Sequence, residues 1–180
     1  MNVVCFNAEK YYRIAYDYFQ YESNAKKAKK YVNIALKHAP NDPKCLILKG
    51  QIYLLEKNPK SALQIFKRVL KISQNDTKCM FYLAKAYSAI YEYNTALDYL
   101  DKILVQNVAD KEFLSECYNL KINILINLNQ YKKAENILKT LNYSLYSNDV
   151  FCLEENFYKT VQSKKSPETN EKKRILHVNF

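Results

Sequence analysis

The sequence predicts an all-α chain, a solenoid of about four helical hairpins closed by a C-terminal capping helix. Three observations predict it. Glycine occurs once and proline four times in 180 residues, too few to punctuate a sheet of short strands, whereas helix interiors need neither. Small alanines recur at Ala28, Ala62, Ala96 and Ala134, at spacings of 34, 34 and 38 residues. Each stands nine residues after a large side chain (Phe19, Tyr53, Tyr87, Leu125) and four before another (Val32, Phe66, Leu100, Leu138). An offset of four is one helical turn and an offset of nine reaches back into a preceding helix, which describes an antiparallel helix pair repeated along the chain.

The first pair is read over residues 9–42, with Tyr12, Ala15 and Phe19 on its first helix, Asn24 placed to cap the second, Ala28 and Ala35 on that second helix, and Pro40 closing the unit. The second pair, 43–76, opens with Asp42 as a cap and Pro43 at the first helical position, and turns at Asn58 and Pro59. The third, 77–110, opens behind Asp76. The fourth, 111–147, opens behind Asp110 and carries four extra residues, 111–114, which lengthen its first helix by about one turn without changing its face. Residues 149–161 put Val150, Leu153, Phe157 and Val161 on one helical face, suited to cover the last hairpin. Residues 1–162 are therefore read as one repeat domain, and 163–180, with the run SKKSPETNEKKR, as a flexible basic tail.

These residues carry a resemblance to the tetratricopeptide repeat (TPR) family. The second unit matches the family pattern through Leu46, Gly50, Tyr53, Ala62 and Phe66, and the third through Met80, Leu83, Ala84, Tyr87, Ala96 and Leu100. The outer units depart from it: Tyr16 stands where a small residue is usual, and Lys121 and Ile122 where Leu and Gly are usual. The resemblance implies a right-handed α-solenoid whose first helices line a concave groove, with positions two, five and nine of each unit directed into it. Carried onto this sequence, the groove candidates are Lys10, Arg13, Lys44, Ile47, Gln51, Lys78, Phe81, Lys85, Asn119 and Asn123. Lysine at position two of three successive units makes a basic rail, beside an apolar centre of Ile47 and Phe81. Such a surface suits a peptide or protein segment that is acidic and carries one or two apolar anchors. The carboxylate clamp of chaperone-binding members is not reproduced, since its places fall on Arg13, Asp17, Leu48, Lys78 and Tyr82 or on Ile47, Gln51, Tyr82, Glu116 and Leu120.

Composition narrows the remaining classes. Two histidines, His38 and His177, stand in no motif, so neither an enzyme nor a cofactor is expected. Five cysteines form no CxxC pair; Cys45, Cys79 and Cys117 share position three of successive units and read as small apolar fillers, not as metal ligands or disulfide partners. No apolar run approaches the roughly 18 residues of a membrane span, and Val3 to Phe6 is too short for a secretory leader, so a cytoplasmic protein is expected. Part of the net charge of +10 gathers at Lys26, Lys27, Lys29, Lys30 and Lys37, read as a solvated outer face, and part lies in the tail. The first reading is thus a non-enzymatic protein-binding scaffold. Homo-oligomeric self-association is the second, and an RNA-binding helical repeat the third, since the recurrent polar pairs of base readers are missing.

Overall fold

The computed structural model of the chain describes residues 3–106, 108–141 and 153–163. Eight helices have both ends within these residues: α1 (Val3–Gln20), α2 (Ala25–His38), α3 (Pro43–Leu55), α4 (Pro59–Ile72), α5 (Thr77–Ala89), α6 (Tyr93–Leu104), α7 (Lys111–Asn127) and α8 (Tyr131–Leu141). Residues 153–163 are helical as well, and no strand occurs among the described residues. The chain divides into two compact units, Met1–Val105 and Gln106–Phe180. The all-α class and the helical-repeat architecture expected from the sequence are therefore the ones observed.

Helix starts are set by short acceptor side chains. Asp42, Asp76 and Asp110 accept hydrogen bonds from the backbone N–H of Cys45, Cys79 and Phe113 at 2.9, 2.8 and 3.1 Å. Asn24 and Asn58 do the same for Lys27 and Ser61 at 3.0 and 3.1 Å. Each bond satisfies one of the amides that a first helical turn leaves free. Helix α6 begins without one: Glu92 makes no capping bond. Helix α1 starts at Val3, ahead of residue 9, because the stretch before residue 9 contains no proline or glycine to stop it.

Each hairpin reverses through one non-glycine residue with positive φ: Ser23 (49°), Lys57 (55°), Tyr91 (65°) and Asn129 (59°). The first three are 34 residues apart, so the repeat is stamped into the backbone as well as the side chains. In three of the turns the next amide reaches back five residues, Asn58 to the Tyr53 carbonyl, Glu92 to Tyr87 and Gln130 to Leu125, at 2.8–3.0 Å. This closure uses carbonyls a helix end would otherwise leave unpaired. In the first hairpin the bond spans six residues, Asn24 to Tyr18.

In the first unit, α1 packs on α2, α3 on α4 and α5 on α6, while α2 lies on α3 and α4 on α5. Ala15, Ala28, Val32 and Ala35 of hairpin one form a core with Cys45, Leu48 and Ile52 of α3. One repeat later, Leu46, Ala62, Leu63, Phe66 and Val69 do so with Cys79, Leu83 and Ala86 of α5. Helices α3 and α5 therefore each nest on the hairpin before them. The alanines are fully buried and let the helices approach closely. Phe66, 0% exposed, fills the second core and stacks on Tyr82 at 5.8 Å; burying such a ring stabilises by about 1.5–3 kcal/mol. Gly50 faces it, and a Cβ built there would stand 2.3 Å from Phe66 Cε1.

Cys45, Cys79 and Cys117 are buried free thiols. Cys79 Sγ donates to the Phe66 carbonyl at 3.3 Å. Burial, reinforced by the neighbouring cap carboxylates Asp42 and Asp76, pushes the Cys45 and Cys79 thiols up to about 12, so both stay protonated and unreactive.

In the second unit, α7 packs on α8. At 17 residues α7 exceeds the 13 of α3 and α5 by four. Cys117, Ile122, Ile124, Leu125 and Ile126 of α7 are buried, as are Ala134, Leu138 and Leu141 of α8. Leu153, Phe157 and Val161 are also buried, on the face expected of a capping helix. Val150, the end of the fourth hairpin (142–147) and the tail from residue 164, with its lysines and its apolar end, lie outside the described residues.

Candidate functional site

The exposed faces of α1, α3 and α5 carry the groove candidates of the first unit. Lys10, Lys44 and Lys78 are all exposed, and among the described residues none of them pairs with a carboxylate. Lys44 and Lys78 are the second residues of α3 and α5, whose first turns contain no acidic residue. A cation there opposes the helix dipole, at a cost of about 0.3–1 kcal/mol in a typical exposed site. Stability does not explain those two lysines. Together with the positive helix ends they make a surface that attracts acidic groups.

The other candidates are less free than the sequence suggests. Arg13 Nε is held by Glu9 Oε1 at 3.1 Å within α1. Ile47 is half-buried and packs against the second core, and Gln51 is half-buried. Phe81 corrects the expected apolar centre: it is 2% exposed, edge-on to Tyr82 at 5.6 Å and covered by the Lys85 ammonium 4.7 Å above its ring. A large ring at this place turns into the protein, and the lysine one turn later closes over it. In the second unit, Asn123 Nδ2 donates to Asn119 Oδ1 at 2.9 Å along α7, so each spends part of its hydrogen-bonding capacity on the other.

The exposed apolar residues on these faces are different ones. Tyr21 is 79% exposed and Leu55 51% exposed; Ala89, in the same place of the third hairpin, is exposed too. Each lies 11 residues after a rail lysine. Eleven residues are three turns plus about 20°, so lysine and apolar residue share a face roughly 16 Å apart along the helix axis. Tyr21 keeps this register because its amide still bonds to the Asp17 carbonyl at 2.9 Å. The face is thus basic at one end and apolar at the other. In the sequence, the spacing of 11 from Lys10 and Lys44 marks Tyr21 and Leu55, which positions two, five and nine of the repeat do not include.

Among the described residues no group of His, Cys, Asp and Glu could hold a metal, and no helix is long and apolar enough to cross a membrane.

A family model described as anaphase-promoting complex, cyclosome, subunit 3 matches residues 17–103. The sequence finds no match among the curated proteins. Solved structures match over most of the chain. "First TPR of Spaghetti (RPAP3) bound to HSP90 peptide SRMEEVD" is 15% identical, with a TM-score of 0.61, covering 69% of this chain and 95% of that one. "MamA 41-end from Desulfovibrio magneticus RS-1" is 19% identical, with a TM-score of 0.63 and coverages of 89% and 96%. "YrrB: a TPR protein with an unusual peptide-binding site" is 18% identical, with a TM-score of 0.62 and coverages of 88% and 74%. At these identities the likeness is one of fold.

Proposed function

Since the chain belongs to the tetratricopeptide repeat family, we propose that its first unit is a protein-binding module that holds an acidic segment of a partner against α1, α3 and α5. The observation that carries this reading is the repetition of Lys10, Lys44 and Lys78 in one register, exposed and unpaired among the described residues, with Tyr21 and Leu55 exposed three turns further along. Acidic side chains of the segment meet the lysines, and one or two apolar side chains meet Tyr21 and Leu55. One structural neighbour holds the peptide SRMEEVD, whose acidic residues are of the kind a lysine rail attracts. The clamp for a terminal carboxylate is missing here, with Leu48 of its places buried, so internal acidic residues are the recognised groups. The fold supplies an interaction scaffold and no catalytic constellation is part of the reading.

The test is fluorescence anisotropy with a labelled peptide of alternating Glu and Leu residues and its Lys-for-Glu counterpart. The acidic peptide binds and the basic one does not. Lys44→Glu/Lys78→Glu weakens binding at least tenfold, with helical content by circular dichroism unchanged. Equal affinity of the variant and the parent protein discards the rail.

A further inference from the structure

The outer flank of the first hairpin is a second surface that the groove reading does not use. In the second hairpin, Cys45, Leu48 and Ile52 are 2%, 2% and 0% exposed because they nest on the alanine-lined hairpin before them. The residues 34 places earlier are Tyr11, Ile14 and Tyr18, and all three are half-buried. They sit where a preceding helix would nest. Tyr31, Ile34 and His38, also half-buried, follow at the same offsets along α2. The rings form one row across the two helices: Tyr18 stacks on Tyr31 at 5.5 Å and 6°, Tyr31 on Tyr11 at 6.4 Å and 15°, and Tyr11 on His38 at 5.9 Å and 3°. The row gives the flank an ordered apolar surface in the register that accepts a helix elsewhere in the same unit.

Charge selects the occupant. Lys26, Lys30 and Lys37 are exposed along the neighbouring ridge of α2. Lys27 Nζ lies 4.7 Å over the Tyr18 ring and Lys30 Nζ 5.9 Å over Tyr31. The carboxylate recorded against this group is Glu22, 3.9 Å from Lys27. A second copy presenting the same flank would set lysine ridge against lysine ridge. Single-stranded nucleic acid needs open ring faces to stack upon, and here the faces are turned onto one another within 15°. We propose that the flank built by Tyr11, Ile14, Tyr18, Tyr31, Ile34 and His38 docks an amphipathic helix of a partner protein, its apolar face on the rings and its acidic face toward Lys26, Lys30 and Lys37.

The experiment uses the full chain and three labelled probes in anisotropy titrations: a helical peptide with a Leu/Ala face and a Glu face, the same peptide with Lys for Glu, and a uridine oligonucleotide. The Glu peptide binds and the Lys peptide does not. Lys26→Glu/Lys30→Glu/Lys37→Glu, which alters exposed side chains alone, weakens the Glu peptide at least tenfold. Ile34→Glu does likewise, while Lys44→Glu/Lys78→Glu changes its affinity less than twofold. Circular dichroism verifies that each variant is folded. Absence of binding, unchanged affinity in the flank variants, loss only in the Lys44/Lys78 variant, or displacement of the peptide by the oligonucleotide overturns the proposal. Loss confined to the Lys44/Lys78 variant leaves the groove reading standing, so the two readings fail separately.

Discussion

Gly50 has room for a hydrogen and little else, because the Phe66 ring that faces it is fully buried and stacked on Tyr82. Gly50→Ala forces that ring to move and lowers stability by about 1–3 kcal/mol, the usual range for overpacking a filled core. Urea unfolding followed by circular dichroism measures it, and Gly50→Ala combined with Phe66→Leu recovers part of the loss. The buried thiols predict a pH dependence. An unfolded cysteine loses its proton near 9, whereas Cys45 and Cys79 hold theirs to about 12 in the fold. Their contribution is complete below pH 9 and is lost as pH rises toward 12, because the unfolded chain releases protons that the native chain keeps. The slope is about 1.4 kcal/mol per pH unit for each thiol. Urea midpoints at pH 8, 9.5 and 10.5 therefore fall steeply, and Cys45→Ala/Cys79→Ala flattens the decline. Tyr12, Tyr99 and Tyr118, also raised by burial first, leave a residual slope of the same sign.

At the scale of the helices, α6 stands apart from five of its neighbours. Five others begin with an Asp or Asn that accepts an amide hydrogen bond, while Glu92 accepts none. Asp76→Ala removes a cap and costs about 1 kcal/mol; Glu92→Asn installs one and adds up to about the same. Both are read from urea midpoints, and a neutral result at Asp76 would mean that the α4–α5 packing alone holds that helix start. The caps were legible in the sequence because a cap is a local event: a short acceptor three residues before the amide it serves. The left-handed turn residues were not, since Ser23, Lys57 and Tyr91 carry no glycine to announce them. What stamps them is their shared place in the 34-residue period.

At the level of the molecule, the architecture was readable because it depends on periodicity, and periodicity survives without knowledge of neighbours. The site depends on exposure, which neighbours decide. Lysine at position two was found from the sequence and is exposed. Phe81, at an equally regular place, turns inward beneath Lys85. The row of rings on the first hairpin was unreadable for the same reason: Tyr11 and Tyr18 belong to one helix and Tyr31 and His38 to another, and only the packed pair brings their planes together.

That row has an optical consequence. With no tryptophan and seventeen tyrosines in the chain, near-ultraviolet absorption comes chiefly from tyrosine, and three nearly parallel, stacked phenols at 5.5 and 6.4 Å couple their transitions. Tyr87 and Tyr99, stacked at 5.7 Å, add to the resulting dichroic band, so the share that comes from this edge of the first unit is the part lost in Tyr18→Phe, and a ligand that settles on the phenols alters that share while one that touches only the lysine rail leaves it alone.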